Sequence, residues 1–184
     1  MTTRLLLIRH GQSVWNASRR WQGHSDAPLS ELGRRQAREA AEALADEPVA
    51  GLYSSDLRRA FATAQIVGEP HGLVPVADAR LRELDVGAWG GLTRAQIEAR
   101  WPDALAAFDR GDPDARAVGG ETRRELERRV RAALDELAAR HAGDTLVVVA
   151  HGGVLAAVTG EFGHPNAAVV SWSWPGETRR APGR

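Results

Sequence analysis

The chain has 184 residues, of which 43% are hydrophobic and 26% are charged, a composition that fits one globular domain and argues against disorder. Its 24 basic residues, all arginine, balance 24 acidic residues, so nothing in the net charge suggests a nucleic acid or an anionic membrane as partner. The lack of cysteine excludes thiolate catalysis, disulfides and sulfur-ligated metals.

The first half of the chain alternates predicted strands and helices. Residues 5–8 are apolar without alternation, which is typical of a strand buried on both faces. Ser30 is the predicted N-cap of a helix over residues 31–45. Weaker patterns follow in the order of a strand at 52–53, a helix at 58–68 and a strand at 73–76.

The second half continues the alternation, with a short helix at 93–101 and a surface loop at 111–120. Thr122 and Glu125 form a capping-box pattern that opens a long helix to about residue 142. A second strand buried on both faces is predicted at 146–150. Strands that alternate with helices predict an α/β fold, a three-layer αβα sandwich around a mainly parallel sheet.

After His151 the pattern predicts a helix that ends at the Gly-His-Pro run 163–165, and then a closing strand over 166–174. The tail 176–184 is polar and is expected to fray. Residues 1–184 are thus predicted to form a single domain. The N-terminal apolar run is too short for a signal peptide or a membrane span, so the cytoplasm is the predicted location.

Histidines follow both of the buried strands. Residues 9–11 (RHG) come directly after the first strand and residues 151–153 (HGG) after the second. Because ligands bind beyond the carboxyl ends of the strands in such sheets, the two imidazoles are expected to meet at one edge. Arg58 and Arg59 follow the weaker strand at 52–53, and guanidinium groups are well shaped for phosphate. The sequence therefore predicts a pocket for a phosphoryl group.

The motifs around these residues resemble, in the same order, those of the histidine phosphatase superfamily, in its phosphoglycerate-mutase-like branch. The matching segments are 7–16 (LIRHGQSVWN), 29–37 (LSELGRRQA), 55–64 (SDLRRAFATA), 81–89 (LRELDVGAW), 119–122 (GGET) and 149–153 (VAHGG). The resemblance implies a phosphoglycerate-mutase-like fold and a phosphomonoester hydrolase that passes through a phosphohistidine.

The resemblance also implies residue roles. It makes His10 the phosphate acceptor, His151 the second histidine and Glu83 the proton donor. Arg9 and Arg59 would clamp the phosphate oxygens; Arg59 is preferred to its neighbour because the family's arginine directly precedes a small residue. The remaining implied substrate-binding residues are Asn16, Gln22, Gly23 and Gly152.

These roles place physical requirements on the site. His10 must present a neutral ring nitrogen, which nearby arginines favour by disfavouring the charged imidazole. Phosphoryl transfer needs positioning and charge stabilisation, which two arginines and a histidine can supply, so no metal and no cofactor are expected. Glu83 must be protonated, and a bound phosphate dianion together with burial would make it a competent acid when substrate is present.

Other polar and aromatic residues are assigned to the surface or to packing. The arginines predicted to lie on solvated helix faces are Arg58, Arg123, Arg124, Arg128 and Arg129. The histidines predicted to lie in a polar loop or at the surface are His24, His71, His141 and His164. The tryptophans are predicted to pack in the core or at the rim, and Trp21 is the one considered for substrate contact.

The spacing of the motifs favours a phosphatase. The segment between Glu83 and Gly119 is shorter than the insertion with which mutases of this family reorient a bisphosphate, so water is the expected acceptor. Segments 55–60 and 91–97 (GLTRAQI) resemble actinobacterial phosphatases, one group of which acts on glucosyl-3-phosphoglycerate. The expected partner is a small phosphorylated metabolite. A phosphoglycerate mutase and a non-catalytic phospholigand-binding module stay as alternatives, and the oligomeric state, a homodimer included, is left open.

The region after His151 departs from the family pattern because a loop that often covers the pocket is missing. An open pocket that admits bulky phosphoesters is one expectation, and weakened catalysis is the other.

Overall fold

The computed structural model describes residues 2–175. The strands are β1 (Thr3–Arg9), β2 (Val49–Ser54), β3 (Val76–Ala77), β4 (Thr145–Ala150) and β5 (Val169–Trp174). The helices are α1 (Val14–Ala17), α2 (Glu31–Leu44), α3 (Arg58–Gly68), α4 (Arg94–Arg100), α5 (Pro102–Asp109), α6 (Arg123–Arg140) and α7 (Gly152–Thr159). Short 3-10 helices lie at Glu69–His71, Ala79–Leu81 and Gly87–Trp89. No helix in this part of the chain is long and apolar enough to cross a membrane.

The strands form one sheet in the order β3-β2-β4-β1-β5. The first four of these are parallel, and β5 runs antiparallel to β1 at the edge. Every residue from Leu5 to Ile8 is at most 2% exposed, as an apolar run without alternation predicts for a central strand. The prediction of a mainly parallel sheet is confirmed.

Helices cover both faces of the sheet. Because successive side chains of a strand point to opposite faces, Leu6 and Ile8 pack with α2 and α3, whereas Leu5 and Leu7 pack with α6 and α7. The predicted three-layer αβα sandwich is therefore confirmed. Because β1 to β4 are parallel, their carboxyl ends lie at the same edge of the sheet.

Side-chain caps fix the helix starts where the sequence predicted them. The Ser30 side chain accepts a hydrogen bond from the Gly33 amide at the start of α2. Thr122 and Glu125 form the predicted capping box of α6, which ends two residues before the predicted limit. Residues 58–68 form α3, as predicted.

Several further boundaries differ from the predictions, among them the weak strand predicted at 52–53, which extends over Val49–Ser54 as β2. The strand predicted at 73–76 is only Val76–Ala77, because Pro75 has no N–H for a strand ladder. The last helix ends at Thr159, before the Gly-His-Pro run, because Gly160 takes a left-handed conformation with φ of 74°. The closing strand begins at Val169 and not at residue 166, and α5 was not predicted. The tail 176–184 lies outside the described residues.

Candidate active site

Two histidines meet at the carboxyl edge of the sheet. Arg9 and Ala150 are register partners in β1 and β4, so the next residues along the chain, His10 and His151, become neighbours with ring centroids 5.1 Å apart. Their exposed fractions are 3% and 0%. The expectation that the two imidazoles meet at one edge agrees with this geometry.

His10 has a defined tautomer. Its Nδ1 lies 2.7 Å from the carbonyl oxygen of Gly11, and because a carbonyl only accepts, Nδ1 carries the proton and Nε2 keeps its lone pair. Burial, followed by the positive charge of Arg59, lowers the pKa of His10 to about 3. The imidazole is therefore neutral at physiological pH, with a free ring nitrogen.

His151 lies behind His10 and is fully buried. Burial and the charge of Arg59 hold the pKa of His151 well below its ordinary value. Neither ring nitrogen of His151 has a hydrogen-bond partner among residues 2–175. Because a buried polar atom is costly when unpaired, this ring is suited to share a hydrogen bond with a group bound next to it.

Two arginines flank the histidines, of which Arg59 is buried and Arg9 is half-buried. Arg59, in the first turn of α3, donates through Nη1 to the Ser25 carbonyl at 2.7 Å and through Nη2 to the Gly23 carbonyl at 2.8 Å. Burial lowers the pKa of Arg59 to about 10, which leaves it a cation at neutral pH. Arg9 donates through Nη1 to the His164 carbonyl. The Nε atoms of both arginines are buried without a partner in the described part of the chain.

Two amide side chains complete this side of the site. Ser13 caps α1 and donates through Oγ to Oε1 of Gln22 at 2.7 Å, while the Ser13 backbone N–H donates to Oδ1 of Asn16 at 3.0 Å. Because both amide oxygens accept from Ser13, the NH₂ groups are the donors left for a ligand.

Glu83 approaches the site from the irregular segment 82–86. Its Oε1 accepts from the Leu84 amide at 2.8 Å, and the Gly153 amide donates to Oε1 and Oε2 at 3.1 and 3.2 Å. A Cβ at position 153 would lie 2.2 Å from Oε1 of Glu83. Only glycine therefore lets the carboxylate reach the first turn of α7, where the helix dipole favours a negative group.

A cavity of about 850 Å³ joins these groups. Of the predicted site residues, those that line it are Arg9, His10, Asn16, Gln22, Gly23, Arg59, Glu83 and Gly152. Of the charged side chains among the lining residues, six are arginines and two are glutamates, so the cavity is strongly positive. Within residues 2–175, no group of three or more histidine and acidic side chains could hold a metal ion.

A model of the histidine phosphatase superfamily (branch 1) matches residues 5–174. The chain belongs to the histidine phosphatase superfamily. It is 44% identical over 164 residues to the glucosyl-3-phosphoglycerate phosphatase of Mycobacterium tuberculosis, a match that covers 85% of this chain and 73% of that protein. It is 40% identical over 169 residues to phosphoglycerate mutase-like protein 4 of Arabidopsis thaliana, covering 90% and 73%.

Solved structures give the same family. A mycobacterial glucosyl-3-phosphoglycerate phosphatase, solved in complex with VO₃, superposes with a TM-score of 0.85 at 41% identity over 91% of each chain. Phosphoglycerate mutase from Bacillus anthracis superposes with a TM-score of 0.80 at 25% identity, covering 94% of this chain and 88% of that one. The predicted family, the phosphoglycerate-mutase-like fold and the class of enzyme, a phosphomonoester hydrolase, are confirmed.

Three side chains of this histidine phosphatase lie where the sequence did not place them. Arg123 and Arg129 were predicted on solvated helix faces, yet Arg123 lines the cavity. Arg129 forms an ion pair with Glu121, and the side chain of Arg129 is 21% exposed and that of Glu121 15% exposed. His164 was predicted at the surface, yet it lines the cavity and its carbonyl accepts from Arg9. These positions follow from long-range packing, for which the sequence offers no short-range signal.

Other predicted positions agree with the structure. Arg58, Arg124 and Arg128 are exposed on their helices. Trp89 and Trp174 are buried in the core. Trp21 lines the cavity, so its contact with a substrate stays a prediction.

Proposed function

We propose that this histidine phosphatase hydrolyses phosphomonoesters through a phosphohistidine formed on Nε2 of His10. The observation that carries the proposal is the neutral, buried His10. Its Nδ1–H donates a hydrogen bond to the Gly11 carbonyl, which leaves the lone pair on Nε2. Arg9 and Arg59 lie beside it, and the Nε atom of each is buried without a hydrogen-bond partner among the described residues. A nucleophile with a free lone pair and cations for the phosphate oxygens are the parts that metal-free phosphoryl transfer needs.

In the first step, Nε2 of His10 bonds to phosphorus as the bond between phosphorus and the ester oxygen breaks. Glu83 gives its proton to that oxygen, and the alcohol leaves. Arg9 and Arg59 hold the phosphate oxygens and balance their charge, with Asn16, Gln22 and the first turn of α7 at Gly152 as further donors. His151, next to His10, donates a ring N–H to the phosphoryl group.

In the second step, the Glu83 carboxylate takes a proton from a water molecule whose oxygen bonds to phosphorus. The bond from phosphorus to Nε2 of His10 breaks, and inorganic phosphate leaves. Both side chains then return to their starting protonation states, so the cycle consumes one water and needs no other reagent.

The proposed substrate is a phosphoester that also carries a carboxylate, of the kind named by the glucosyl-3-phosphoglycerate phosphatases to which the chain is similar. Two features support it. The cavity of about 850 Å³ extends well beyond the phosphate-binding side chains. Arg123, which also lines the cavity, is a half-buried cation that forms no ion pair with any residue from 2 to 175. The expectation that the pocket admits bulky esters stays a prediction.

Mutase activity is the second candidate because several relatives carry that name, such as the probable phosphoglycerate mutase GpmB of Yersinia pestis at 40% identity over 149 residues. A mutase would move phosphate between positions of phosphoglycerate and depend on a bisphosphate primer. A hydrolase releases inorganic phosphate without a primer, so one assay with and without the primer separates the two.

The decisive experiment follows phosphate release from p-nitrophenyl phosphate and a phosphoester panel in EDTA. We expect the wild-type protein to turn over, His10→Ala to lose about 1000-fold or more of kcat, and Arg59→Ala to lose activity while the exposed neighbour variant Arg58→Ala keeps it. Alkaline quenching should trap phosphate on the wild type alone. Turnover that persists in His10→Ala, or that EDTA abolishes, would overturn the proposal. Binding of inorganic phosphate without turnover of any ester would favour a binding module.

A further inference from the structure

The segment that carries Glu83 has neither helix nor strand to hold it. Residues 82–86 lie between two short 3-10 helices, Ala79–Leu81 and Gly87–Trp89. Their carbonyl groups therefore have no regular ladder, and buried backbone groups of this kind need other partners. The position of Glu83 depends on which side chains supply those partners.

Arg129 supplies two of them from α6, and Nε2 of His24 also lies 2.9 Å from the carbonyl oxygen of Glu83. Nη1 of Arg129 donates to the carbonyl oxygens of Arg80 and Arg82, both at 2.7 Å, and its Nη2 donates to the carbonyl oxygen of Glu83 at 2.8 Å. The same guanidinium makes a two-pronged ion pair with Glu121 through Nε and Nη2, both at 2.7 Å. All of the N–H groups of the side chain are thus engaged.

Glu121 forms hydrogen bonds with the same segment at Asp85, on the C-terminal side of Glu83. Its Oε2 accepts from the Asp85 amide at 3.0 Å, and its own amide donates to the Asp85 carbonyl at 2.9 Å. Glu121 and Arg129 therefore act as one unit that fixes the chain on both sides of Glu83, while the Gly153 amide fixes the Glu83 carboxylate itself. Neither Glu121 nor Arg129 lines the cavity in the described part of the chain.

We propose that Arg129, held by Glu121, is a positioning residue for the proton donor of this enzyme. It sets where the Glu83 carboxyl stands relative to the leaving oxygen without touching the substrate. The inference rests on the proposed function, in which Glu83 is the acid. Proton transfer requires hydrogen-bond geometry in the transition state, and a misplacement of about 1 Å costs on the order of 100-fold in rate.

Two aryl esters of nearly the same shape provide the test. p-Nitrophenyl phosphate has a good leaving group that needs little proton donation, whereas phenyl phosphate has a poor one that depends on it. We expect Arg129→Gln to lower kcat/KM for phenyl phosphate about 10- to 100-fold more than for p-nitrophenyl phosphate. Arg128→Gln, on the exposed face next to it, should change neither value.

Further variants guard against a general loss of folding. Glu121→Gln keeps an oxygen for the Asp85 amide but loses the charge that holds Arg129, so it should show the same preference in a smaller degree. Competitive inhibition by inorganic phosphate should be unchanged in both variants. In the Glu83→Gln background, Arg129→Gln should add no further discrimination between the esters, because the acid is already absent.

The outcomes separate the inference from the proposed function. If Glu83→Gln slows both esters equally, Glu83 is not the acid and the proposed function loses that step. If Glu83→Gln discriminates between the esters but Arg129→Gln does not, the positioning inference is wrong. Equal losses for both esters together with weakened phosphate inhibition in Arg129→Gln would make the residue a general structural support and also overturn the inference.

Discussion

Arg123 lies against the rings of Phe108 and Phe162, with its guanidinium carbon 4.4 and 5.3 Å from their centroids. Its Nη2 donates to the Phe108 carbonyl at 3.0 Å. Burial lowers the pKa of Arg123 without removing its charge. A guanidinium on aromatic rings is partly stripped of water, and it binds an anion more strongly there than at an exposed site.

Arg123→Gln is expected to raise KM for 3-phosphoglycerate about tenfold, equivalent to about 1.4 kcal/mol, while KM for p-nitrophenyl phosphate stays the same. The reason is that only the first ester has a carboxylate for this side chain. The matched control is Arg124→Gln, an exposed neighbour that pairs with Asp114. An equal rise in KM for both esters would count against a carboxylate subsite at Arg123.

The order of strands and helices brings the reactive side chains to one place. β1 and β4 deliver the two histidines, and the first turn of α3 delivers Arg59. The Cβ that Gly11 lacks would stand 2.3 Å from the Gly33 carbonyl oxygen, so glycine also lets the loop after β1 pack on the start of α2. The first turn of α7 has the same kind of contact with Glu83.

Gly153→Ala is expected to push the Glu83 carboxylate away from α7, because the added Cβ would lie 2.2 Å from Oε1. We expect kcat/KM for phenyl phosphate to fall on the order of 100-fold. Inhibition by inorganic phosphate should be nearly unchanged, since the arginines and His10 are not displaced. Steady-state kinetics on the purified variant checks this, and a variant as active as the wild type would show that Glu83 has room to move without loss.

Burial of two neutral histidines affects the stability of the whole molecule. In the unfolded chain a histidine titrates at about pH 6.5, whereas burial lowers the pKa of His10 to about 3 and that of His151 well below its ordinary value. Below about pH 6.5 the unfolded state therefore binds protons that the folded state does not. The stabilisation is complete above that pH and is lost as the pH falls toward about 3.

Between about pH 7 and about pH 5, His10 is expected to lower the free energy of unfolding by about 2 kcal/mol, and His151 is expected to lower it further in the same direction. Urea denaturation at the two pH values measures the loss. The variant with both His10→Gln and His151→Gln should lose correspondingly less over the same interval, because its other four histidines are unchanged. The same pH dependence in wild type and variant would contradict the assignment of buried neutral imidazoles.

Much of the architecture was predictable from short-range patterns. The apolar run at 5–8, the Ser30 cap and the Thr122 capping box each report a local preference, so β1, α2 and α6 begin where predicted. Position after a strand also indicated His10 and His151. The predicted boundaries were wrong where a single residue ended the element, as Pro75 did for β3 and Gly160 for α7.

From the sequence alone follow the three-layer fold, the family and most of the candidate site residues that line the cavity, because strand ends and motif spacing are local properties. The contacts of Arg123 and Arg129 follow only from the folded chain. Glu121, two residues before α6, pairs with Arg129 in the second turn of α6, and the pair holds a segment 36 to 46 residues earlier in the chain. The helical pattern of the sequence does not distinguish Arg129 from the exposed Arg128, because the burial of a polar side chain depends on the residues that pack against it.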